Sequence, residues 1–308
     1  MSEHHCRIFD LCLALPFPVD KLLAAPAHAP VDAQVVFGPA PQELPHALHT
    51  YSYLDTAMTF QVDGDGAVLL RTPTARFYVT AGRTAVVDAG PAARPGLVRY
   101  LVLHYCVPAL LNQRGLVALH ANAIHTPRGA VILAGQSGGG KSTLHAALLA
   151  RGMAMLSDDV AVLRGAAGGI EVLPGLPRYR MVADAWARVQ PPAAQVTALG
   201  GLRNKVALVA PAAAFHAAPA PLAAIYVLEP HAGDAIAVER VHGVAAFRLL
   251  QANAYPPLES MTLPEHLRTF GALVDQSAVY RIRRPAGRWT VDELADIVLA
   301  GDPGNAHG

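Results

Sequence analysis

The chain has 308 residues, with 24 Lys plus Arg against 23 Asp plus Glu and a formal net charge of +1. Hydrophobic residues make up 53% and charged residues 15%, which excludes an intrinsically disordered chain and leaves no basic excess of the kind that marks a nucleic-acid binder. Only Lys21, Lys141 and Lys205 are lysines; every other Lys-or-Arg position is arginine.

This length allows a large core in one or two domains. The cysteines Cys6, Cys12 and Cys106 form no Cys-x-x-Cys pair and are odd in number, so neither a disulfide framework nor a zinc site is expected, and a cytoplasmic location fits. The start, Met1-Ser2-Glu3-His4-His5, lacks the basic and apolar regions of a signal peptide. Residues 207–228 carry no charge, but Pro211, Pro219 and Pro221 break the run. They are expected as a linker entering a buried strand, not a membrane span.

In chain order, residues 1 to about 92 are expected as short strands, at 34–37, 67–70, 76–79 and 84–87, with Gly82-Arg83 turning between the last two. Pro95 opens a helical pattern through Leu97, Val98, Leu101, Tyr105 and Leu111, which Pro108 should kink and Gly115 stop. Apolar runs at 116–119 and 130–134 have the length of buried strands, with a polar turn at 126–129. A helix is expected over 143–151 and strands at 153–156, 160–163, 170–173, 206–209 and 224–228. Tail helices are expected around 244–252, 264–274 and 291–300. The expected class is α/β (α+β): a β-rich N-terminal accessory domain over 1–92 and a second domain over 93–308, with the boundary between about 92 and 115.

Gly135-Gln136-Ser137-Gly138-Gly139-Gly140-Lys141-Ser142 fits G-x-x-x-x-G-K-S/T, between the strand ending at Ala134 and a helix. Its glycines let successive N–H groups face one concavity, and the helix start adds about half a positive charge. Residues Gly135 to Thr143 are therefore the candidate nucleotide-binding set, with Lys141 on the β- and γ-phosphates of ATP and Ser142 on Mg²⁺. ATPases, GTPases, kinases and transporters all use such a loop, so its surroundings must decide the chemistry.

Ser157-Asp158-Asp159 follows the strand at 153–156. A strand after the loop's helix is expected beside the loop's own strand, with its carboxyl end at the same crevice. Two adjacent carboxylates can divide labour, one taking the proton of an attacking hydroxyl while the other helps hold Mg²⁺. In extended backbone their side chains diverge, so they should not touch the same atom. The competing reading is a polar turn closing a hairpin onto Val160. His120 ends the strand before the hairpin that leads into the loop, and on spacing alone it reads equally as a strand-end histidine. Arg178, Arg180 and Lys205 are candidates to neutralise a transferring phosphoryl group, each otherwise an ordinary surface charge. His4-His5, His46 and His49 read as surface.

Leu119-His120-Ala121, the loop, Arg151-Gly152 and Leu156-Ser157-Asp158-Asp159 stand in an order and spacing that resemble the catalytic domain of bacterial HPr kinase/phosphorylase and its wider HPr-kinase-like group. His120 precedes Gly135 by fifteen residues and Asp158 follows Lys141 by seventeen, as in that family. The likeness covers roughly 115–210 well and extends more loosely over Pro174-Gly175-Leu176-Pro177-Arg178 and the tail helices. Residues 1 to about 95 look more like the leader domain of HPr-kinase-related proteins from peptide-maturation clusters, including lasso-peptide tailoring kinases.

The resemblance implies a mixed sheet shared with phosphoenolpyruvate carboxykinases and ATP-dependent phosphorylation of a serine hydroxyl. It implies Asp158 as general base, Lys141 on the phosphates, Ser142 on Mg²⁺, with Asp159 the second carboxylate, and it brings His120 into the active site. True HPr kinases carry a Glu-Val-Arg-Gly-type segment whose glutamate helps bind metal. The nearest analogue here, Gly200-Gly201-Leu202-Arg203-Asn204-Lys205, has no acid. That departure argues against a second metal contact, against reverse phosphorolysis and against HPr as the acceptor.

The leading expectation is an ATP/Mg²⁺-dependent kinase for a Ser or Thr hydroxyl of a peptide or small protein. The alternatives are a nucleotide-dependent leader-peptide binding module, with residues 1–92 pairing a peptide at a strand edge, and a small-molecule kinase. No nucleic-acid or membrane partner is expected, and a homo-oligomer stays open.

Overall fold

Alternation of apolar and polar residues makes the first part of the chain β-rich. Its strands are β1 (His4–Ile8), β2 (Leu11–Leu15), β3 (Leu23–Ala24), β4 (Ala33–Phe37), β5 (Ala47–Tyr53), β6 (Met58–Asp63), β7 (Val68–Arg71), β8 (Ala75–Thr80) and β9 (Thr84–Ala89). The computed structural model describes residues 4–19, 23–25, 29–53, 57–199, 205–255 and 264–301; Lys21 and the Gly200-Gly201-Leu202-Arg203-Asn204 segment lie outside the described residues. The nine strands form one mixed sheet in the order β3-β1-β2-β4-β9-β8-β7-β6-β5, with β2/β4 and β4/β9 parallel. β8 and β9 bury Phe77, Val79, Ala85 and Val87, every second residue, as the pleat requires. The turn between them falls one residue earlier than expected: Ala81 and Gly82 both take positive φ, 55° and 61°, the conformation that matches strand twist in tight hairpins.

The chain divides into two compact units, Met1–Ala118 with Tyr255–Arg268, and Leu119–Ala254 with Thr269–Gly308. The first unit ends in a helical run: α1 (Pro95–Leu101), a π-helical turn (Val102–Cys106) and α2 (Val107–Asn112). The wide turn sits where the proline kink was expected, because Pro108 has no N–H to give the His104 carbonyl one turn back. The Tyr255 hydroxyl donates to that carbonyl instead, at 2.8 Å. Cys6, Cys12 and Cys106 are free and buried.

After β10 (Val117–Leu119) come β11 (Ala121–Thr126), β12 (Gly129–Gly135), α3 (Lys141–Ala150), β13 (Ala154–Ser157), β14 (Ala161–Ala166), β15 (Gly169–Leu173), β16 (Arg178–Val182), α4 (Ala183–Val189), β17 (Gln195–Leu199) and β18 (Lys205–Val209). The rest comprises β19 (Ala220–His231), β20 (Ala237–Val241), α5 (Gly243–Gln251), α6 (Pro264–Gln276), β21 (Val279–Pro285) and α7 (Val291–Ala300). Of the run expected as a linker, residues 207–209 complete β18, a 3-10 turn follows at Ala212–Ala214, and β19 begins at Ala220, ahead of the expected 224.

The large sheet of the second unit is mixed. β12 pairs β11 antiparallel and β19 parallel, β19 pairs β21 parallel, and β15 joins β19 antiparallel. A smaller antiparallel sheet has the order β16-β18-β17. α3 lies in the core between them, where Leu144 and Leu148 pack with Leu133, Tyr226, Ile282 and Val298.

One expectation fails. β13 does not lie beside β12, because both edges of β12 are already taken by β11 and β19; it docks on the outer edge of β11. Both pairings to β11 are antiparallel, so β13 still runs parallel to β12 and its carboxyl end opens on the same side of the sheet. Among the described residues no helix is long and apolar enough to cross a membrane.

Candidate functional site

The loop leaving β12 has a backbone that only glycine permits. Gly135, Gly138 and Gly140 take φ of 130°, 82° and 101°. A Cβ on Gly135 would lie 2.3 Å from the Leu228 carbonyl oxygen, and one on Gly139 would lie 2.9 Å from that of Gln136. The Gly139 N–H donates to the Gln136 oxygen at 3.0 Å, closing the loop on itself. Gln136, Ser137 and Gly138 are exposed, and Ser142 and Thr143 are half-buried on the first turn of α3. That helix starts after Gly140 with no side-chain cap and no acid in its first turn, so its N-terminal amides keep their attraction for an anion.

Lys141 is buried, and its Nζ donates to the carbonyls of Gly135 and Gln136 at 2.5 and 3.2 Å. Burial lowers its pKa, while the charges of Asp159 and Asp158 oppose that shift and Lys205 adds to it. The loop cation and the acidic pair therefore share one electrostatic environment, although the strands they follow, β12 and β13, are separated by β11.

The acidic pair is bound from the small sheet. The Arg180 N–H donates to Asp158 Oδ2 at 2.9 Å, and the Arg180 guanidinium pairs with Asp159 Oδ2. Both acids thus contact one residue through different atoms. The divergence has a different origin from the extended backbone expected: Asp159 is left-handed, with φ of 64°. Its N–H reaches Asn122 Oδ1 at 3.3 Å. The Asp158 carboxylate is enclosed, with Oδ1 buried and without a hydrogen-bond partner. Burial, then the neighbouring Asp159 charge, hold Asp158 well above the usual carboxylate range, against Arg180 and Lys205.

His120 sits half-buried between β10 and β11. Its Nδ1 donates to the Asp159 carbonyl at 3.1 Å, which assigns the proton to Nδ1 in the neutral ring. Burial, with Lys141, lowers its pKa, so the ring is neutral near pH 7. Lys205, the first residue of β18, acts electrostatically on His120, Lys141 and Asp158. Arg178 lies on the same face of β16 as Arg180, two residues away, while Tyr179 and Met181 face the core.

Three residues escaped the sequence reading. Asn253 Oδ1 accepts the Gly135 N–H at 2.8 Å, and the Asn253 carbonyl accepts the His120 N–H at 2.7 Å. Asn122 holds Asp159 as described; a polar residue inside the apolar run 121–124 was its one visible signal. Arg284, on β21, donates to the loop carbonyls of Gly139 and Gly138. Behind the loop, His145 is fully buried, edge-on to Tyr179 at 5.7 Å between ring centroids.

The arrangement joins a glycine loop, an uncapped helix start and a buried lysine to an enclosed carboxylate of raised proton affinity. It can hold a polyanion and accept a proton beside it. No protein-family model matches the chain, and no curated protein matches it. Among solved structures it is similar to the HPr(Ser) kinase/phosphatase from Coxiella burnetii, at 13% identity and a TM-score of 0.30, over 59% of this chain and 91% of that one.

Proposed function

We propose that the chain is an ATP- and Mg²⁺-dependent kinase that transfers the γ-phosphoryl group to a Ser or Thr hydroxyl of a peptide or small protein. The observation that carries this reading is the pairing of the glycine loop with Asp158. A loop with no room for side chains at Gly135 and Gly139, closed by a buried lysine, suits a polyphosphate; an enclosed carboxylate in the same field suits the acceptor's proton.

The residues fit the groups the reading requires. Loop amides, the start of α3 and Lys141 would hold the phosphates of ATP. No group of three or more His, Cys, Asp or Glu side chains among the described residues could hold a metal ion. Ser142 and Asp159 with phosphate oxygens and water suit Mg²⁺, which keeps several waters and takes one or two carboxylates. Bound there, Mg²⁺ would neutralise part of the charge of the phosphates.

In the transfer itself, the acceptor oxygen bonds to the γ-phosphorus as the bond to the β–γ bridging oxygen breaks, and ADP departs with that oxygen. Asp158 takes the hydroxyl proton. Lys141, with Arg180 and Lys205 from the small sheet, stabilises the charge spread over the phosphoryl oxygens. His120, neutral and tied to the Asp159 carbonyl, orients the backbone that carries both acids.

The test is incubation with γ-labelled ATP, Mg²⁺ and a Ser/Thr peptide library. Label on peptide hydroxyls supports the reading. Label on a small metabolite would make the chain a small-molecule kinase, and ATP binding without any transfer would make it a nucleotide-dependent binding module.

A further inference from the structure

The geometry points to Arg284 as the positioning residue that sets which way the Gly140 N–H faces, and so holds the loop ready for a polyphosphate. This rests on the nucleotide-binding reading above. β12, β19 and β21 run parallel as neighbours, with Gly135 opposite Leu228 and Pro230 opposite Arg284, so the loop and Arg284 emerge at the same edge of the sheet. From there the guanidinium forks onto two consecutive loop carbonyls, Nε to Gly139 at 2.8 Å and Nη2 to Gly138 at 3.3 Å, while Nη1 donates to its own neighbour Pro285 at 3.2 Å.

In a trans peptide the C=O and the following N–H point in opposite directions. With the Gly138 carbonyl held by Arg284, the Gly139 N–H faces away from it, and it meets the Gln136 carbonyl there at 3.0 Å. With the Gly139 carbonyl held the same way, the Gly140 N–H must also face away from Arg284. The fit is close: a Cβ on Gly140 would lie 3.2 Å from Arg284 Nε. A lysine keeps the charge but not the planar fork that spans two carbonyls. Arg283, exposed on the same strand, is the natural control.

The experiment uses the full chain. Hydrogen exchange of the loop amides is followed without ligand in wild type, Arg284→Lys, Arg284→Ala and Arg283→Ala, and ATP·Mg²⁺ affinity is measured in each. The expected result is Gly139 N–H exchange at least about tenfold faster in both Arg284 variants, with ATP affinity weakened roughly tenfold or more and Arg283→Ala like wild type. Unchanged Gly139 exchange in Arg284→Ala, or wild-type ATP affinity in Arg284→Lys, overturns the assignment. Wild type that fails to bind ATP would overturn the nucleotide reading, and the exchange measurement would still decide whether Arg284 orders the loop. Should Arg284→Ala fail to fold, the charge-retaining Arg284→Lys carries both measurements.

Discussion

The Asn253 side chain holds Gly135 from across the fold: its Oδ1 accepts the Gly135 N–H at 2.8 Å, 118 residues away in sequence. Its Nδ2 donates to the Leu249 carbonyl at 2.8 Å, which fixes the amide's orientation. Gly135 is the last residue of β12, paired with Leu228 and with φ of 130°. Asn253→Ala therefore leaves a buried N–H without a partner, and should lower unfolding stability by about 2 kcal/mol. ATP affinity should fall with it. Urea unfolding with a parallel binding titration checks both; an unchanged midpoint would mean the loop tolerates the loss.

Lys141 and Asp158 should separate binding from chemistry. Lys141→Ala removes the buried cation facing the loop and should abolish ATP binding. Asp158→Asn keeps an acceptor for the Arg180 N–H but cannot take a proton. It should bind ATP within a few-fold of wild type while transfer falls by about a hundredfold or more. Wild-type transfer by Asp158→Asn would remove Asp158 from the role of base.

The first unit offers a test independent of any ligand. Tyr255→Phe removes the donor that satisfies the His104 carbonyl, at a cost of about 1–2 kcal/mol. In a Pro108→Ala background the same change should cost less, because alanine restores an N–H one turn after His104. A double-mutant cycle by urea unfolding reads the coupling; strictly additive effects would argue that Pro108 and Tyr255 act separately.

His145 should impose an acid limit on stability. Burial pushes its imidazole down to about 4, against about 6.5 for an unfolded chain. Above pH 6.5 neither state binds the proton and the contribution does not vary. As pH falls from 6.5 towards 4 the unfolded state takes up a proton that the native state refuses, so stability drops by roughly 1.4 kcal/mol per pH unit. His145→Leu should flatten that limb, losing about 1.4 kcal/mol less than wild type between pH 7.5 and 5.5 in urea unfolding. Equal slopes in the two proteins would mean that the native ring is protonated.

How much of this was readable in advance follows from the range of each interaction. The glycine loop, α3 and α7 obey rules spanning a few residues, and the helix expected at 291–300 is found at Val291–Ala300. The hairpin β8–β9 declares itself by alternation and a turn glycine. Position in the sheet is another matter. Nothing in 153–156 states which edge is free to receive that strand, and β13 went outside β11 because β12 already had two partners. Asn253 and Arg284 stand 118 and 145 residues from the loop atoms they bind, and neither belongs to a local pattern. His120 was ambiguous on spacing alone; the resemblance pointed it to the active site, and its partner there, the Asp159 carbonyl, came only with the fold.

The displacement of β13 by one strand also sets a width. Neighbouring strands lie about 4.8 Å apart, so β12 and β13, with β11 between them, are separated by about 10 Å. A β13 paired directly with β12 would bring the carboxyl ends of the two strands to half that distance. The intervening strand instead spaces the glycine loop that follows β12 from the acidic pair that follows β13.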